Sequence, residues 1–212
     1  YVETAMESVR KELELPTGYS IHWSGQYEYM LRAKEKLTYV VPLTLAIIAI
    51  LLFMNFRNFT EVVLLMGTLP FALIGSIWLL YLMGFNFSIA VGVGFIALAG
   101  VAVEISVIML VYLNQAWREE LTKNSTNSIG NSLTKTQLMQ AVITGAGLRV
   151  RPVMMTAAAV IAGLIPILLG TGTGSEVMSR IAAPMVGGMV SAVILTLLVL
   201  PAFYYLWKLK SK

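Results

Sequence analysis

The sequence predicts an all-α membrane protein with five membrane-spanning helices. Of its 212 residues, 58% are hydrophobic and only 12% are charged, and the mean hydropathy is +0.79. A soluble domain usually has about 25% charged residues. The charged residues also leave apolar runs that are long enough for helices of about 20 residues, the length that crosses a bilayer. These observations exclude an ordinary soluble enzyme.

The apolar runs are bounded by charged residues. No charged residue lies between Lys36 and Arg57, and the 42 uncharged residues between Glu61 and Glu104 make two spans, broken at 84–87. The runs lack the alternation of barrel strands, so helices are the structure that satisfies every backbone group in lipid. The predicted domain 38–207 therefore has spans at 38–56, 61–83, 87–114, 152–170 and 179–207.

Prolines lie in or beside these spans, and a packed membrane bundle tolerates them as kinks. They are Pro42, Pro70, Pro152, Pro166, Pro184 and Pro201.

Lys and Arg are distributed unevenly between the two sides of the predicted membrane domain. Nine of them lie in the segments 57–60, 115–151 and 208–212, whereas the opposite loops, 84–86 and 171–180, hold one. The positive-inside rule places the nine in the cytoplasm. Residues 1–37 are then periplasmic, and the basic tail 208–212 is cytoplasmic. The net charge of +4 thus reports topology and does not indicate a nucleic-acid partner.

The N-terminal segment is predicted to be the end of a water-exposed α/β domain. Residues 1–25 combine apolar residues at helical spacing, from Val2 to Leu13, with an alternating, strand-like pattern from Tyr19 to Trp23. Residues 26–37 are predicted to form an interfacial helix that leads into the first span. Because the chain starts at Tyr1, inside a predicted helix, we expect it to be part of a longer protein.

The cytoplasmic loop 115–151 is predicted to contain two parts. Residues 119–135 are rich in Ser, Thr and Asn and indicate a flexible link. A short amphipathic helix is expected near 136–147.

Glu104 is the strongest candidate for function. Glu61 and Arg180 mark span ends, which leaves Glu104 as the only ionisable acid or base inside a span, near mid-membrane. A charge at that depth costs at least about 2.5–3.5 kcal/mol, so such residues usually face a bundle interior and are functional. The functional interpretation is a proton carrier, and the structural alternative is a carboxyl held neutral by hydrogen bonds. Three glycines precede it, for which close helix packing is an equally good explanation: Gly92, Gly94 and Gly100.

Three methionines share one face of the last predicted helix. Met178, Met185 and Met189 are spaced i, i+7 and i+11. Thioethers suit Cu(I), but Met is also a flexible apolar filler, and filler is the favoured interpretation for a single Met. Met178 is the exception, because it follows the polar, glycine-rich segment 171–176 at the outer mouth of the bundle. It is a candidate metal ligand.

The sequence does not support a disulfide, a thiolate or histidine metal site, or a phosphate-binding loop. The chain has no Cys and no Asp, and its single His, His22, has no second ligand nearby. The glycines of 170–174 lack the ending of a phosphate-binding loop. No enzymatic activity and no cofactor are therefore expected.

Several long segments together resemble the resistance–nodulation–cell division (RND) transporters over essentially the whole chain. The resemblance is strongest to the heavy-metal efflux branch and, within it, to the CusA-type copper and silver pumps. The segments are WSGQYEYMLRA, TLPFALIGSIWLLYLMG, GFIALAGVAVE, NQAW, LRVRPVMMT and GTGTGSEVMSRIAAPMVGGM.

The resemblance implies helices eight to twelve of a twelve-helix RND-type bundle, with residues 1–25 ending a periplasmic porter subdomain. It implies proton antiport of Cu(I) and Ag(I) across the inner membrane of a Gram-negative bacterium. The implied partners are two further copies in a homotrimer, a periplasmic adaptor (membrane fusion) protein, an outer-membrane channel protein and the lipid bilayer. The family's fourth-helix Asp residues and porter methionines are absent from this chain, so the chain alone is not expected to transport.

The resemblance also implies residue roles. Glu104 falls where CusA-type pumps carry a Glu of the proton relay and drug exporters carry a Lys. Met178 matches a Met proposed to pass ions towards the periplasmic cleft. Thr156 matches a Thr linked to proton relay in the drug branch. Val153 departs from the pattern, because CusA-type pumps have a Lys there, and Glu104 would lack that cationic neighbour.

Three alternatives stay open at this point. A divalent cobalt, zinc or cadmium pump of the same branch would keep the fold and change the porter ligands. A drug exporter is disfavoured because Glu104 stands in place of Lys. A protein-export or sterol-sensing relative is disfavoured by the segment 170–180.

Overall fold

The computed structural model describes residues 2–13, 21, 25–127 and 134–210, and the described residues contain α-helices, one π-helical segment and no strand. The helices are α1 (Val2–Glu12), α2 (Gln26–Phe56), α3 (Phe59–Leu82), α4 (Ile89–Asn127), α5 (Lys135–Leu169), α6 (Ser175–Ile194), the π-helix Leu195–Val199 and α7 (Leu200–Lys210). The strand predicted around 19–24 falls almost wholly outside the described residues.

Five helical stretches are long and apolar enough to cross a membrane, which confirms the predicted fold class. They are Leu31–Phe56, Phe59–Leu82, Ile89–Lys123, Lys135–Leu169 and Ser175–Lys210. The last one joins α6, the π-helix and α7 into one continuous span.

The chain divides into two compact units, residues 1–51 and residues 52–212. In the first unit, the predicted interfacial segment 26–37 forms the opening turns of α2, with no break before the first span. No Gly or Pro interrupts this stretch before Pro42, and Arg32 pairs with Glu28 one turn away.

The helices around the predicted loop 115–151 are longer than expected. Helix α4 continues to Asn127 and α5 begins at Lys135, so the described part of that segment is almost entirely helical, including residues 119–127 of the predicted flexible link. Pairs one turn apart support the extension of α4, for example Gln115 with Glu119 at 3.0 Å. A capping box between Thr134 and Gln137 starts α5. The run of apolar residues ends where the chain is predicted to leave the membrane, whereas the helices continue beyond that point.

In the second unit, α3 and α6 approach closely because small residues line their contact. A Cβ atom added to Gly75 would lie 2.3 Å from the backbone oxygen of Gly187. Two hydroxyls also bridge these helices: Ser76 donates to the carbonyl of Pro184 at 2.5 Å, and Ser191 donates to that of Ala72 at 2.8 Å. Small residues and interhelical hydrogen bonds are the usual basis of membrane helix packing.

Candidate functional site

Glu104 lies on a face of α4 that no other described helix of the second unit covers. Its side chain is exposed, and no hydrogen bond or ion pair to it occurs within the described ranges. It lies 15 residues into α4, about 22 Å from the start of the helix. Gly100, one turn earlier, is also exposed, and a Cβ atom there would meet nothing within 4 Å. The second unit thus presents this carboxyl on an open surface.

The adjacent face of α4 at this level is packed and apolar. Ile105, the residue after Glu104, belongs to a buried cluster with Val153, Ala157, Met189 and Val193. Val153 is only 2% exposed. At position 153, where the resemblance implies a Lys, this chain therefore has a buried Val. It packs in the same cluster as Ile105, the residue next to Glu104.

Thr156 makes only local hydrogen bonds. Its hydroxyl is 3.2 Å from the carbonyl oxygen of Pro152 and 3.0 Å from that of Val153, both on the preceding turn of α5. Such bonding back to the helix is common for Thr in apolar spans.

Met178 lies in the first turn of α6 and is 57% exposed. Gly174, immediately before the helix, has φ of 87°, a left-handed conformation that glycine adopts readily. By contrast, Met189 on the same helix is 1% exposed and packs in the cluster around Ile105, as a filler would. No hydrogen bond joins Glu104, Thr156 and Met178, which lie on three different helices.

A second carboxyl, at the predicted start of the second span, is buried. Glu61 is 2% exposed in the first turn of α3. One oxygen accepts a hydrogen bond from the Asn58 side chain at 3.2 Å, and the other accepts one from Asn114 of α4 at 2.9 Å. The Asn114 carbonyl in turn accepts from the Tyr204 hydroxyl of α7 at 2.7 Å. We call Glu61, Asn114 and Tyr204 the carboxyl layer.

A second polar layer crosses the same helices two turns away. The Ser106 hydroxyl of α4 is 3.3 Å from that of Thr68 of α3 and 3.3 Å from that of Thr196 in the π-helix. All three are buried. Local π-helix often marks functional sites or strain, and here it carries the third hydroxyl of this layer.

A spacing signal could have revealed both layers. Glu61 and Thr68 are seven residues apart, and Ser106 with Asn114, like Thr196 with Tyr204, are eight apart. Each pair therefore lies on one face of its helix, two turns apart, in an otherwise apolar stretch.

Lys208 lies near the carboxyl layer among aromatic rings. Its Nζ is 3.9 Å from the ring centroid of Trp117 on α4 and 4.4 Å from that of Trp207. Such cation–π contacts are stabilising, and Trp residues are typical of the membrane–water boundary. They tie α7 to the extension of α4.

An open cavity of about 770 Å³, lined mainly by polar residue types, lies beside the same end of α4. It is lined by Asn55, Phe56, Val111, Asn114, Gln115, Arg118, Glu119, Thr122 and Lys123. No cluster of three or more His, Cys, Asp or Glu that could hold a metal ion occurs in the part of the chain that the structure describes.

Comparison with known proteins identifies the family. Residues 1–208 match the sequence profile of the AcrB/AcrD/AcrF family. The chain belongs to this family. It is 49% identical over 205 residues to the cation efflux system protein CusA of Escherichia coli (strain K12), covering 97% of this chain and 19% of CusA. It is 39% identical over 206 residues to the cobalt-zinc-cadmium resistance protein CzcA of Cupriavidus metallidurans, covering 97% of this chain and 18% of CzcA.

A solved structure gives the same assignment. The crystal structure of a heavy metal efflux pump (crystal form II) matches with a TM-score of 0.76 and 36% identity, covering 97% of this chain and 19% of that one. The resemblance to the heavy-metal efflux branch of the RND transporters is thereby confirmed. The chain spans about a fifth of the length of these relatives.

Proposed function

We propose that this chain is the C-terminal membrane part of a pump that exports Cu(I) and Ag(I) in exchange for protons, with Glu104 as a proton carrier. The observation that carries the proposal is the position of Glu104. It is a carboxyl far along a membrane-spanning helix, on an open face, without a described partner. About four-fifths of the length of such a relative lies outside the part that this chain matches, which is ample to cover that face in the whole pump.

A carboxyl in such a place can couple protons to movement. Covered by further helices, Glu104 would change its charge when it gains or loses a proton. A conformation that favours the neutral form and one that favours the charged form would then be populated according to its protonation. A proton gradient can bias that equilibrium, which is the requirement for antiport.

The metal assignment rests on two supports. The chain is 49% identical to CusA but 39% identical to CzcA over nearly the same length. The sequence resemblance to CusA-type pumps implies monovalent copper and silver, and a thioether such as that of the exposed Met178 is a ligand suited to Cu(I). We assign Met178 as a relay ligand and Thr156 as a relay partner in the proton path.

A divalent pump is the second candidate, because CzcA, which is named for cobalt, zinc and cadmium resistance, is itself 39% identical to this chain. Cobalt, zinc and cadmium prefer carboxylate or imidazole ligands, and the described residues contain no group of three or more such side chains, so a complete site would need ligands from elsewhere in the pump.

The proposed setting is the inner membrane of a Gram-negative bacterium, with residues 1–37 in the periplasm and the C-terminus in the cytoplasm. The pump would act as a homotrimer together with a periplasmic adaptor and an outer-membrane channel.

The test is metal efflux by the full-length pump in proteoliposomes with an imposed pH gradient. We expect the gradient to drive Ag(I) and Cu(I), and Glu104→Gln to reduce that flux to the level of empty liposomes at normal protein content. The Gln variant keeps the shape of the protonated carboxyl but cannot ionise. Flux of cobalt, zinc or cadmium alone would favour the second candidate, and undiminished Ag(I) flux in the Gln variant would refute the role of Glu104.

A further inference from the structure

We propose that a groove between α3 and the last membrane-spanning helix binds an anionic phospholipid, with an acyl chain in the groove and the phosphate between Arg57 and Lys210. The groove is lined by α3 on one side and by the π-helix and α7 on the other. Under the proposed orientation the lipid belongs to the cytoplasmic leaflet. The inference goes beyond transport, because it assigns a ligand class to a surface that contains neither Glu104 nor Met178.

The first support is the shape and lining of the groove. Its volume is about 170 Å³, and its lining is apolar apart from one threonine. Val63 and Phe71 contribute to one wall, and Val199 and Phe203 contribute to the other. Between the walls Gly67 supplies no side chain, and a Cβ atom there would meet nothing within 4 Å. A concave apolar surface of this kind suits a hydrocarbon chain.

The second support is that the groove lies away from the face of α4 that carries Glu104. No residue of α4 lines the groove. Behind it, the hydroxyl of Thr68, a lining residue of α3, is 3.3 Å from the hydroxyl of Ser106 on α4. Ser106 follows Glu104 by two residues, which is a rotation of about 200° around the helix. The two surfaces therefore point to opposite sides of α4, and a cover over Glu104 leaves the groove open.

The third support is a pair of cations at the inner end of the groove. Lys210 follows Phe203 by seven residues, so it lies on the same face of α7, about 10 Å further along the axis. Arg57 lies two residues before α3 begins. Both cations are exposed. The carboxyl layer joins the first turn of α3 to α7 through Asn114, which places these two helix ends at one level.

The combination of an apolar groove with two cations at its end fits an amphiphile with a negative head group. Phosphate oxygens accept charge-assisted hydrogen bonds from Arg and Lys, and no acidic side chain lines the groove. Trp207, between Phe203 and Lys210 in the sequence, is half-buried, and Trp is typical of the head-group level. Basic pockets between membrane helices on the cytoplasmic side bind anionic lipid head groups. A further helix of the pump would fill the groove but leave both cations to water.

Native mass spectrometry of the purified, delipidated full-length pump tests the proposal. Phosphatidylglycerol and phosphatidylcholine with the same acyl chains are titrated separately, and we expect phosphatidylglycerol to bind more tightly. Arg57→Gln and Lys210→Gln should each weaken phosphatidylglycerol binding about fivefold and leave phosphatidylcholine binding unchanged. Gly67→Leu, which fills the groove, should weaken the binding of both lipids.

Lys135→Gln and Gly163→Leu are the matched controls. Lys135 is an exposed cation at the start of α5, and Gly163 is an exposed glycine of α5 where a Cβ atom would meet nothing within 4 Å. Neither lines the groove, so both variants should bind phosphatidylglycerol as the wild type does. Equal affinity of the wild type for the two lipids, or equal losses in the controls and in the groove variants, would overturn the lipid site.

A photoreactive phenylalanine analogue in place of Phe203 identifies the occupant of the groove in native membranes. We expect a crosslink to phospholipid, and a crosslink only to another segment of the pump would overturn the proposal. Glu104→Gln should bind phosphatidylglycerol as the wild type does, whatever its transport rate. Failure of the lipid site and failure of the proposed function therefore give different results.

Discussion

Glu61 and Glu104 are both carboxyls on membrane-spanning helices, yet their surroundings are opposite. Glu61 is 2% exposed, and each of its oxygens accepts an amide hydrogen. Glu104 is exposed on an open face, and the described residues provide it with no partner. Protonating Glu61 would weaken an acceptor in the hydrogen bonds that join the start of α3 to α4, whereas protonating Glu104 disturbs no hydrogen bond among the described residues of this unit.

Under the proposed function, this difference separates a structural carboxyl, Glu61, from a proton carrier, Glu104. A group that gains and loses a proton in each transport cycle needs surroundings that change during the cycle. A carboxylate whose two oxygens both accept hydrogen bonds from fixed neighbours has surroundings that stay the same. The same division applies to other residue pairs: Gly94 is packed and Gly100 is open, and Met189 is buried and Met178 is exposed. Each pair gives a matched experiment on the full-length pump.

The largest effect on stability is expected at the carboxyl layer. Glu61→Ala leaves the side-chain amides of Asn58 and Asn114 without their acceptor and should lower the free energy of unfolding by about 3 kcal/mol. Tyr204→Phe removes one neutral hydrogen bond and should cost about 1 kcal/mol. Thermal unfolding of the purified pump measures both. If Glu61→Ala melted like the wild type, the carboxyl layer would have no structural role.

The glycine pair should show a smaller effect on folding, confined to one member. A Cβ atom on Gly94 would lie 2.4 Å from Cγ of Pro184 and 2.5 Å from the backbone oxygen of Ile181, so Gly94→Ala should destabilise by about 1–3 kcal/mol. Within this unit, Gly100→Ala meets no atom within 4 Å. If the rest of the pump covers that face, Gly100→Ala should reduce transport while leaving the melting temperature nearly unchanged.

That prediction has a clear contrary result. Equal melting temperatures for the two alanine variants would mean that the contact of α4 with α6 at Gly94 is not a tight one. Normal transport by Gly100→Ala would argue that its face of α4 tolerates extra volume and is not closely covered.

The methionine pair should show the smallest change in stability and a difference in metal tolerance. Isoleucine is close to methionine in volume, so Met178→Ile and Met189→Ile should each cost less than about 1.5 kcal/mol. Loss of the sulfur should lower copper and silver tolerance only at position 178. Tolerance assays at matched protein levels would distinguish the two, and equal tolerance would return Met178 to the status of an apolar filler.

The spans were predictable because they depend on local composition. Charges such as Lys36 and Arg57 bound the apolar runs, and those runs must be helical in lipid. The extensions of α4 and α5 were missed because hydropathy reports the membrane and not the end of the helix. Glu104 could be singled out because a single charged residue within an apolar run can be recognised from the sequence alone.

The carboxyl layer was not predictable in the same way. Glu61 stands four residues after Arg57, so its charge is indistinguishable from a span boundary in the sequence. Its partner Asn114 is 53 residues away, and Tyr204 is a further 90 residues from Asn114. Only the packing of α3, α4 and α7 brings them together. Hydrogen bonds over such distances leave no local pattern beyond the spacing within each helix.

Proton movement during metal export tests the central claim most directly. A pH-sensitive dye trapped in proteoliposomes would report proton flux on addition of Ag(I) to the wild-type pump, to Glu104→Gln and to Glu61→Gln. We expect metal-dependent proton flux in the wild type, none in Glu104→Gln, and flux per folded molecule near the wild-type value in Glu61→Gln. Normal flux in Glu104→Gln, or flux lost only in Glu61→Gln, would contradict the assignment of carrier and structural carboxyl.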